Sequence, residues 1–300
     1  MSNRIGHWSK DNAFVDVCIK SDNAIGVALA NDEMVADKTP FSFLAVKRDS
    51  DWLEGGSTNW DCITLIEAKQ PLSQLLLIGV EGQVHITGSG DRHTEEIIDN
   101  EFSPKNYGFI RGARNIDGEV FVCGMKKQVY KRNNAYSWSC ISKQIIGGEG
   151  VHGFEAIDGF SKSDIYAVGW QGEIWHFDGV NWNKKTINTE NILLDVCCAG
   201  NGKVNIIGRG QIFIYGKDEN WKIKQTDFEL INLCWFKNNL YASSTKHIFK
   251  LNENENFEIV AILEDSPETC GKLTTNGEIM VSAGERDLFS FDGENWKRLD

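Results

Sequence analysis

From about residue 160 onward the chain repeats itself. Asp164 to Thr186 reads DIYAVGWQGEIWHFDGVNWNKKT, and Glu278 to Asp300 reads EIMVSAGERDLFSFDGENWKRLD. Each gives an apolar strand ending in Gly, a turn, an alternating strand ending in Asp-Gly, and a Trp that opens a further strand. Lys203 to Thr226 is a third copy, and Asn239 to Val260 a more worn one. The aromatic after the turn reports the period: Trp138, Trp182, Trp221, Phe257 and Trp296 are separated by 44, 39, 36 and 39 residues. Each follows a turn rich in Asn, Asp or Gly, residues that accept positive φ or bond to their own backbone and so make tight hairpins. Such an aromatic is expected to pack between neighbouring units. The Gly closing the earlier strand recurs as Gly79, Gly124, Gly169, Gly208 and Gly284, where two strands approach closely. A period near forty residues, all strand and turn, is the mark of a β-propeller blade.

Working upstream from these anchors predicts an all-β fold, a β-propeller of seven four-stranded antiparallel blades. The units fall near 13–55, 60–100, 106–143, 151–187, 191–226, 228–262 and 268–300, in one domain spanning 1–300. The spacing also admits six or eight. In the first unit Asn31 to Pro40 reads as a longer loop, and no amphipathic helix of ten or more residues is visible. NWKRLD at the end resembles an outer strand of the last blade, and RIGHWSK near the start is similar enough to pair there instead.

The chain has 43 acidic against 31 basic residues, a net charge of −12. That argues against nucleic acid as the main partner, because phosphate binding needs a basic footprint. An acidic surface favours a basic partner through steering and complementary potential. No run of apolar residues is long enough to span a membrane, and the polar start MSNRIGHWSKDNAF lacks the apolar middle of a signal peptide. The eight cysteines show no disulfide spacing, and several sit in apolar strands such as FVDVCI and LLDVCCA, as reduced buried thiols would. A cytoplasmic protein is expected.

Chemistry leaves little trace. There is no Cys-x-x-Cys or His-x-x-x-His, no Gly-x-Ser-x-Gly elbow and no calcium loop, so no metal, cofactor or catalytic residue is assigned. His85 and His176 hold the same place in two units, which argues for packing. The predicted innermost strands are mostly apolar, with Asp16, Glu67, Arg111, Arg114 and Asp195 as exceptions. These five keep open a glycan or small-molecule hydrolase or lyase working in a central channel. A general protein-interaction scaffold is the other alternative.

The repeat resembles bacterial propellers of the loose kelch- and YVTN-like group, whose blades read DIYAVG-x-x-G-x-I-x-x-F-DG-x-x-W. It lacks the Gly-His and terminal Trp-Asp of WD40 blades, the double glycine of kelch strands and the Asp-boxes of sialidases. The resemblance implies a fold and transfers no catalytic residue. The chain is also similar to immunity proteins of contact-dependent growth inhibition and related toxin systems, which are often stand-alone, acidic and cytosolic. That similarity implies a basic toxin domain as partner, such as a nuclease occluded at its active site. In a four-stranded blade the loops between blades and those joining the second and third strands emerge on one face. They carry Asp32, Glu33, Asp37, Glu81, Glu101, Glu149, Glu264, Asp265, Glu268, Glu285 and Asp287, a ring of candidate contacts. Trp170 departs from its counterparts Val80, Met125 and Arg209, and is the candidate aromatic contact among them.

Overall fold

The computed structural model describes residues 8–20, 23–49, 51–147, 152–260 and 266–300. It contains seven four-stranded antiparallel sheets, each made of four consecutive strands. The strands run through 12–58, 62–96, 110–140, 154–185, 193–225, 232–259 and 272–298, which we number blades 1 to 7. The first strand of every blade lies innermost against the first strand of the next, and that of blade 1 against that of blade 7. The result is a closed seven-bladed β-propeller.

Strand periodicity explains how such short sheets become stable. Side chains alternate between the two faces of a strand, so a blade buried on both sides needs apolar residues in succession. QLLLIG, Gln74–Gly79, is buried throughout. Leu75 and Leu77 enter a cluster with Cys18, Ala28 and Leu44 of blade 1, while Leu76 and Ile78 enter another with Ile110, Val120 and Val122 of blade 3. The remaining clusters join blades 3 and 4, 4 and 5, 5 and 6, 6 and 7, and 7 and 1. The core is thus seven seams, each between two sheets, and no blade has a core of its own.

The repeated aromatics fill these seams. Trp138, Trp182 and Phe257 lie in the outermost strands of their blades and are buried against the preceding blade. Trp182 also donates its indole N–H to Ile141 O of blade 3 at 3.0 Å. Trp221 meets Tyr166 of blade 4 edge-on, and Trp296 stacks on Phe291 in the seam with blade 6. Trp52 does the same for blade 1 against blade 7. The strand-ending glycines sit where the second strand meets the start of its own blade. A Cβ on Gly169 would fall 2.0 Å from Gly153 O, and one on Gly284 2.2 Å from Thr269 O.

Blade 7 closes the ring without exchanging a strand. Its outermost strand is Trp296–Arg298, from the C-terminal end, while Trp8 stacks on Phe43 of blade 1 at 4.6 Å. The first four residues of the alternative pairing strand RIGHWSK lie outside the described residues. Closure rests instead on Val281, Ala283 and Leu288 packing on blade 1 and on polar ties across the seam. Asn276 donates to Asn23 at 2.6 Å, and Arg286 pairs with Asp32 at 2.9 Å. The expected loop at 31–40 contains a five-residue helix, Asp32–Ala36, capped by the Asn31 side chain accepting from Met34 N–H. It is too short to show a helical period in the sequence.

Candidate functional site

The antiparallel order puts every second-to-third-strand turn at the same end of the ring as the connections between blades, and hydrogen bonds fix the two sets together. Six of the seven turns are tied to the start of the following blade. Val80 O accepts from Ile110 N at 2.7 Å, Asn191 O from Gly172 N at 2.8 Å, Thr245 O from Cys270 N at 2.9 Å, and Glu285 O from Phe14 N at 2.9 Å. Side chains complete the set, with Asp61 accepting from Phe41 N and Glu229 from Gly210 N. Over the described residues these loops therefore form one rim face, tied by the same bonds that join the blades.

The candidate carboxylates distribute unevenly on it. Asp32 and Glu33 occupy the first turn of the short helix, and Asp37 follows it exposed. Glu81, Glu101, Glu268 and Glu285 are exposed on their turns and connections. Asp32 and Glu285 come together at the seam of blades 7 and 1, where Arg286 lies 2.9 Å from Asp32 and 3.6 Å from Glu285. Glu149, Glu264 and Asp265 fall outside the described residues. Asp287 must be corrected: it is 4% exposed and is not a surface contact. One oxygen accepts from the Glu268 and Thr269 backbone N–H groups and the Thr269 hydroxyl, and the other pairs with Arg298 at 2.8 Å. Its loop position gave no warning of this, because its partners lie up to 19 residues away. Asp61, Glu190, Asp227 and Glu229 are exposed on the same rim and were missed. The rule that found the others, applied to the connections near 59–61, 186–192 and 226–231, would have found them.

Trp170 sits half-buried in a 3₁₀ turn, Trp170–Gly172, on the rim side of blade 4. Its indole N–H donates to Glu155 Oε1 at 2.6 Å, and the other Glu155 oxygen accepts from Arg111 at 2.7 and 2.9 Å. Glu155 and Arg111 lie at the rim mouth of the central channel.

Inside the channel the ionisable groups are largely committed to joining blades. Asp16 accepts from Val17 N at 2.9 Å and from Leu65 N of blade 2 at 2.8 Å. Asp195 accepts from Val196 N, from Leu233 N of blade 6 at 2.7 Å and from the Asn232 amide at 2.7 Å. Asp158 accepts from Cys198 N of blade 5 at 2.7 Å. Arg114 stands between Asp158 and Asp195 at 3.6 and 3.9 Å. Burial pushes the Asp158 and Asp195 carboxyls above their ordinary values, with Arg114 opposing the rise. Burial disfavours the Arg114 cation too, but the two carboxylates outweigh it and hold the guanidinium charged. Beyond Arg114 a cavity of about 460 Å³ opens to the opposite face, lined by Glu67, Lys69, Asn115, Trp235 and Glu278 among others.

The remaining candidates are structural. His85 Nε2 meets Gly55 O at 3.1 Å, and His176 pairs with Asp164 at 2.8 Å while stacking on Tyr166. The eight cysteines are free thiols, and burial pushes all of them up from their ordinary value. Among the described residues no cluster of His, Cys, Asp and Glu has the makings of a metal site, and no helix is long and apolar enough to cross a membrane.

No family model matches the chain. It is 34% identical over 284 residues to the immune protein Tsi7 of Pseudomonas aeruginosa, an alignment covering 91% of this chain and 92% of that protein. Among solved structures it is similar in fold to YCF48 bound to D1 peptide, with a TM-score of 0.68, 12% identity, and 95% and 94% of the two chains covered. The WD40 propeller domain of Doa1 gives a TM-score of 0.67 at 10% identity over 93% and 92% of the chains. Saccharomyces cerevisiae Sqt1 gives 0.64 at 10% identity over 96% and 84%. At these identities the three structures speak for the propeller alone.

Proposed function

The chain belongs to the family of the immune protein Tsi7, and from that premise we propose that it is an immunity protein that grips a cognate toxin with its rim face and blocks the toxin's active site. The observation that carries this reading is a 34% identity that runs through 91% of the chain, so the relationship spans the ring and not a single blade. The rim supports it with a rigid face bearing Glu33, Asp37, Glu81, Glu101, Glu190, Asp227, Glu229, Glu268 and Glu285, all exposed.

The charge suggests the class of toxin. A domain that holds nucleic acid presents cations along its cleft, and a rim of carboxylates meets those cations in place of phosphates. We therefore infer a basic partner, a nuclease domain, met in the cytoplasm. A stable complex of this kind buries about 1,600 Å² or more. Complementary charge raises the association rate more than it slows dissociation.

This reading expects a toxin gene beside the gene for this chain, and the test uses its product. Co-production of the two proteins should rescue growth, and an inactivated toxin domain should bind the purified propeller with an association rate that falls as salt rises. Reversing Glu33, Asp37, Glu190 and Glu229 together to Lys should slow association and abolish protection. Full protection by that variant would overturn the assignment of the rim.

A further inference from the structure

We propose that the rim also carries an apolar anchor site, formed by Phe109, Met125 and Trp170 over blades 3 and 4, which seats an apolar side chain of the same toxin. This rests on the immunity reading and names a part of its interface that charge alone does not supply.

A lone exposed apolar residue means little, since much of any protein surface is apolar. Here three lie in sequence across one seam. Phe109 is 54% exposed at the start of blade 3, although its backbone carbonyl is fixed by Met125 N at 2.9 Å. Met125 is half-buried, and its backbone touches Gly153, where a Cβ would fall 2.3 Å from Met125 Cα. Gly153 O in turn accepts from Trp170 N at 3.1 Å. Phe109, Met125 and Trp170 thus stand on neighbouring backbone segments, Phe109 bonded to Met125 and Trp170 to Gly153, with Met125 and Gly153 in close contact.

The indole is held in place before any partner arrives. Its N–H is bound by Glu155, and Glu155 is bound by Arg111, at 2.6 and 2.7 Å. The turn beneath is wedged, because Gly172 has φ of +65° and a Cβ there would strike Thr189 O at 2.1 Å. A rigid aromatic with its polar atom already satisfied loses little entropy on binding, the profile of an interface hot spot. Packing within the blade does not demand it, since the equivalent position is Val80 in blade 2 and Arg209 in blade 5.

Charge separates this sector from the rest of the rim. Among the described residues the carboxylate beneath it, Glu155, is neutralised by Arg111, and Lys126 lies in the adjoining turn. The exposed carboxylates of the described rim flank it instead, with Glu81 and Glu101 between blades 2 and 3 and Glu190 between blades 4 and 5, and continue through blades 6, 7 and 1. The face therefore suits a partner that is basic over most of its contact and carries one apolar protrusion, a Leu, Met or aromatic side chain.

The experiment measures binding of the inactivated toxin domain to the wild-type chain, Phe109→Ala and Trp170→Ala, at low and high salt, with thermal unfolding of each variant alongside. Each substitution should weaken binding about tenfold or more, through faster dissociation. That loss should persist at high salt, whereas the effect of rim charge reversals should fade. Phe109→Ala removes an exposed ring and should leave the unfolding midpoint unchanged, so it decides the matter even if Trp170→Ala loosens its turn. Wild-type binding with Phe109→Ala within twofold of it overturns the anchor and leaves the immunity reading standing. Failure of the wild-type chain to bind overturns both.

Discussion

Asp195 and Glu33 are both carboxylates of an acidic chain, yet they stand in opposite surroundings. Asp195 is 6% exposed in the seam of blades 5 and 6 and spends both oxygens on backbone and amide N–H groups. Glu33 is exposed on the rim in the first turn of a short helix. Seam carboxylates replace the hydrogen bonds that separate sheets cannot make to one another, since each blade's ladder ends at its own inner strand. Rim carboxylates keep their water and lend only their field. The comparison teaches that the net charge of −12 is not one property. Part of it is mortar between blades, and the rest is surface available to a partner.

The seam side of the comparison should break hardest at Glu95. Its side chain is 1% exposed, pairs with Arg132 at 2.9 Å and accepts from Trp138 Nε1 at 3.0 Å and Tyr136 N at 2.7 Å, all from blade 3. Glu95→Ala strands a buried guanidinium and two N–H donors, and should cost about 3–5 kcal/mol in denaturant unfolding. Asp195→Ala comes next, at about 2–3 kcal/mol, because it leaves N–H groups of blade 6 without an acceptor. Asp195→Asn keeps one oxygen facing Leu233 N and should recover part of that loss. Equal stability of Asp195→Ala and the wild type would show that the seam does not depend on this bond.

A smaller effect is expected at Glu173, in the seam of blades 3 and 4. Burial pushes its carboxyl up, but hydrogen bonds from Lys184 and Trp175 and the charge of Lys127 outweigh burial and hold it below the ordinary glutamate value. A carboxyl that is more acidic folded than unfolded adds stability above its unfolded pKa and loses it as pH falls through the folded one. The wild type should therefore lose stability on acidification below about pH 4.3, the usual glutamate value. Glu173→Gln should flatten that part of the stability curve. Superimposable acid limbs for the two proteins would remove Glu173 from the seam's electrostatics.

The fold was legible because its signals are local. Asp178-Gly179 before Trp182 and Asp292-Gly293 before Trp296 announce a turn and a seam aromatic within a few residues, and the closing Gly at 169 and 284 repeats in step. Blade 1 was harder to read, because its seam aromatic Trp52 follows no Asp-Gly turn and the helix at Asp32–Ala36 interrupts its hairpin. The rim set was legible as topology and less so as exposure. Asp287 and Glu285 differ by two positions, yet the carboxylate of one is buried against Arg298 and that of the other is exposed to solvent. The seam carboxylates were visible only as ionisable exceptions in apolar strands, since Asp16 and Asp195 bond to backbone 49 and 38 residues away. A weak signal did exist: Asp-Val-Cys at 16–18 and 195–197 and Asn-Leu-Cys at 232–234 repeat one blade position. Asn232 makes the same clasp to Leu273 N at 2.7 Å.

The rim side of the comparison should leave stability almost untouched, and this small effect is the one that separates the two kinds of carboxylate. Glu33, Asp37, Glu190 and Glu268 are exposed, and surface substitutions away from caps and buried pairs usually stay within about 0.5 kcal/mol. Reversing all four to Lys should leave the unfolding midpoint near that of the wild type, while slowing association with an inactivated basic toxin domain at low salt by about tenfold or more. A matched reversal of Asp218, Glu219, Glu253 and Glu294, exposed in the third-to-fourth-strand turns of the opposite face, changes net charge by the same amount. If the rim acts by position, the opposite-face variant should associate nearly as fast as the wild type. If both variants slow association equally, the partner senses only the total charge of the ring, and the rim loses its claim to be the binding face.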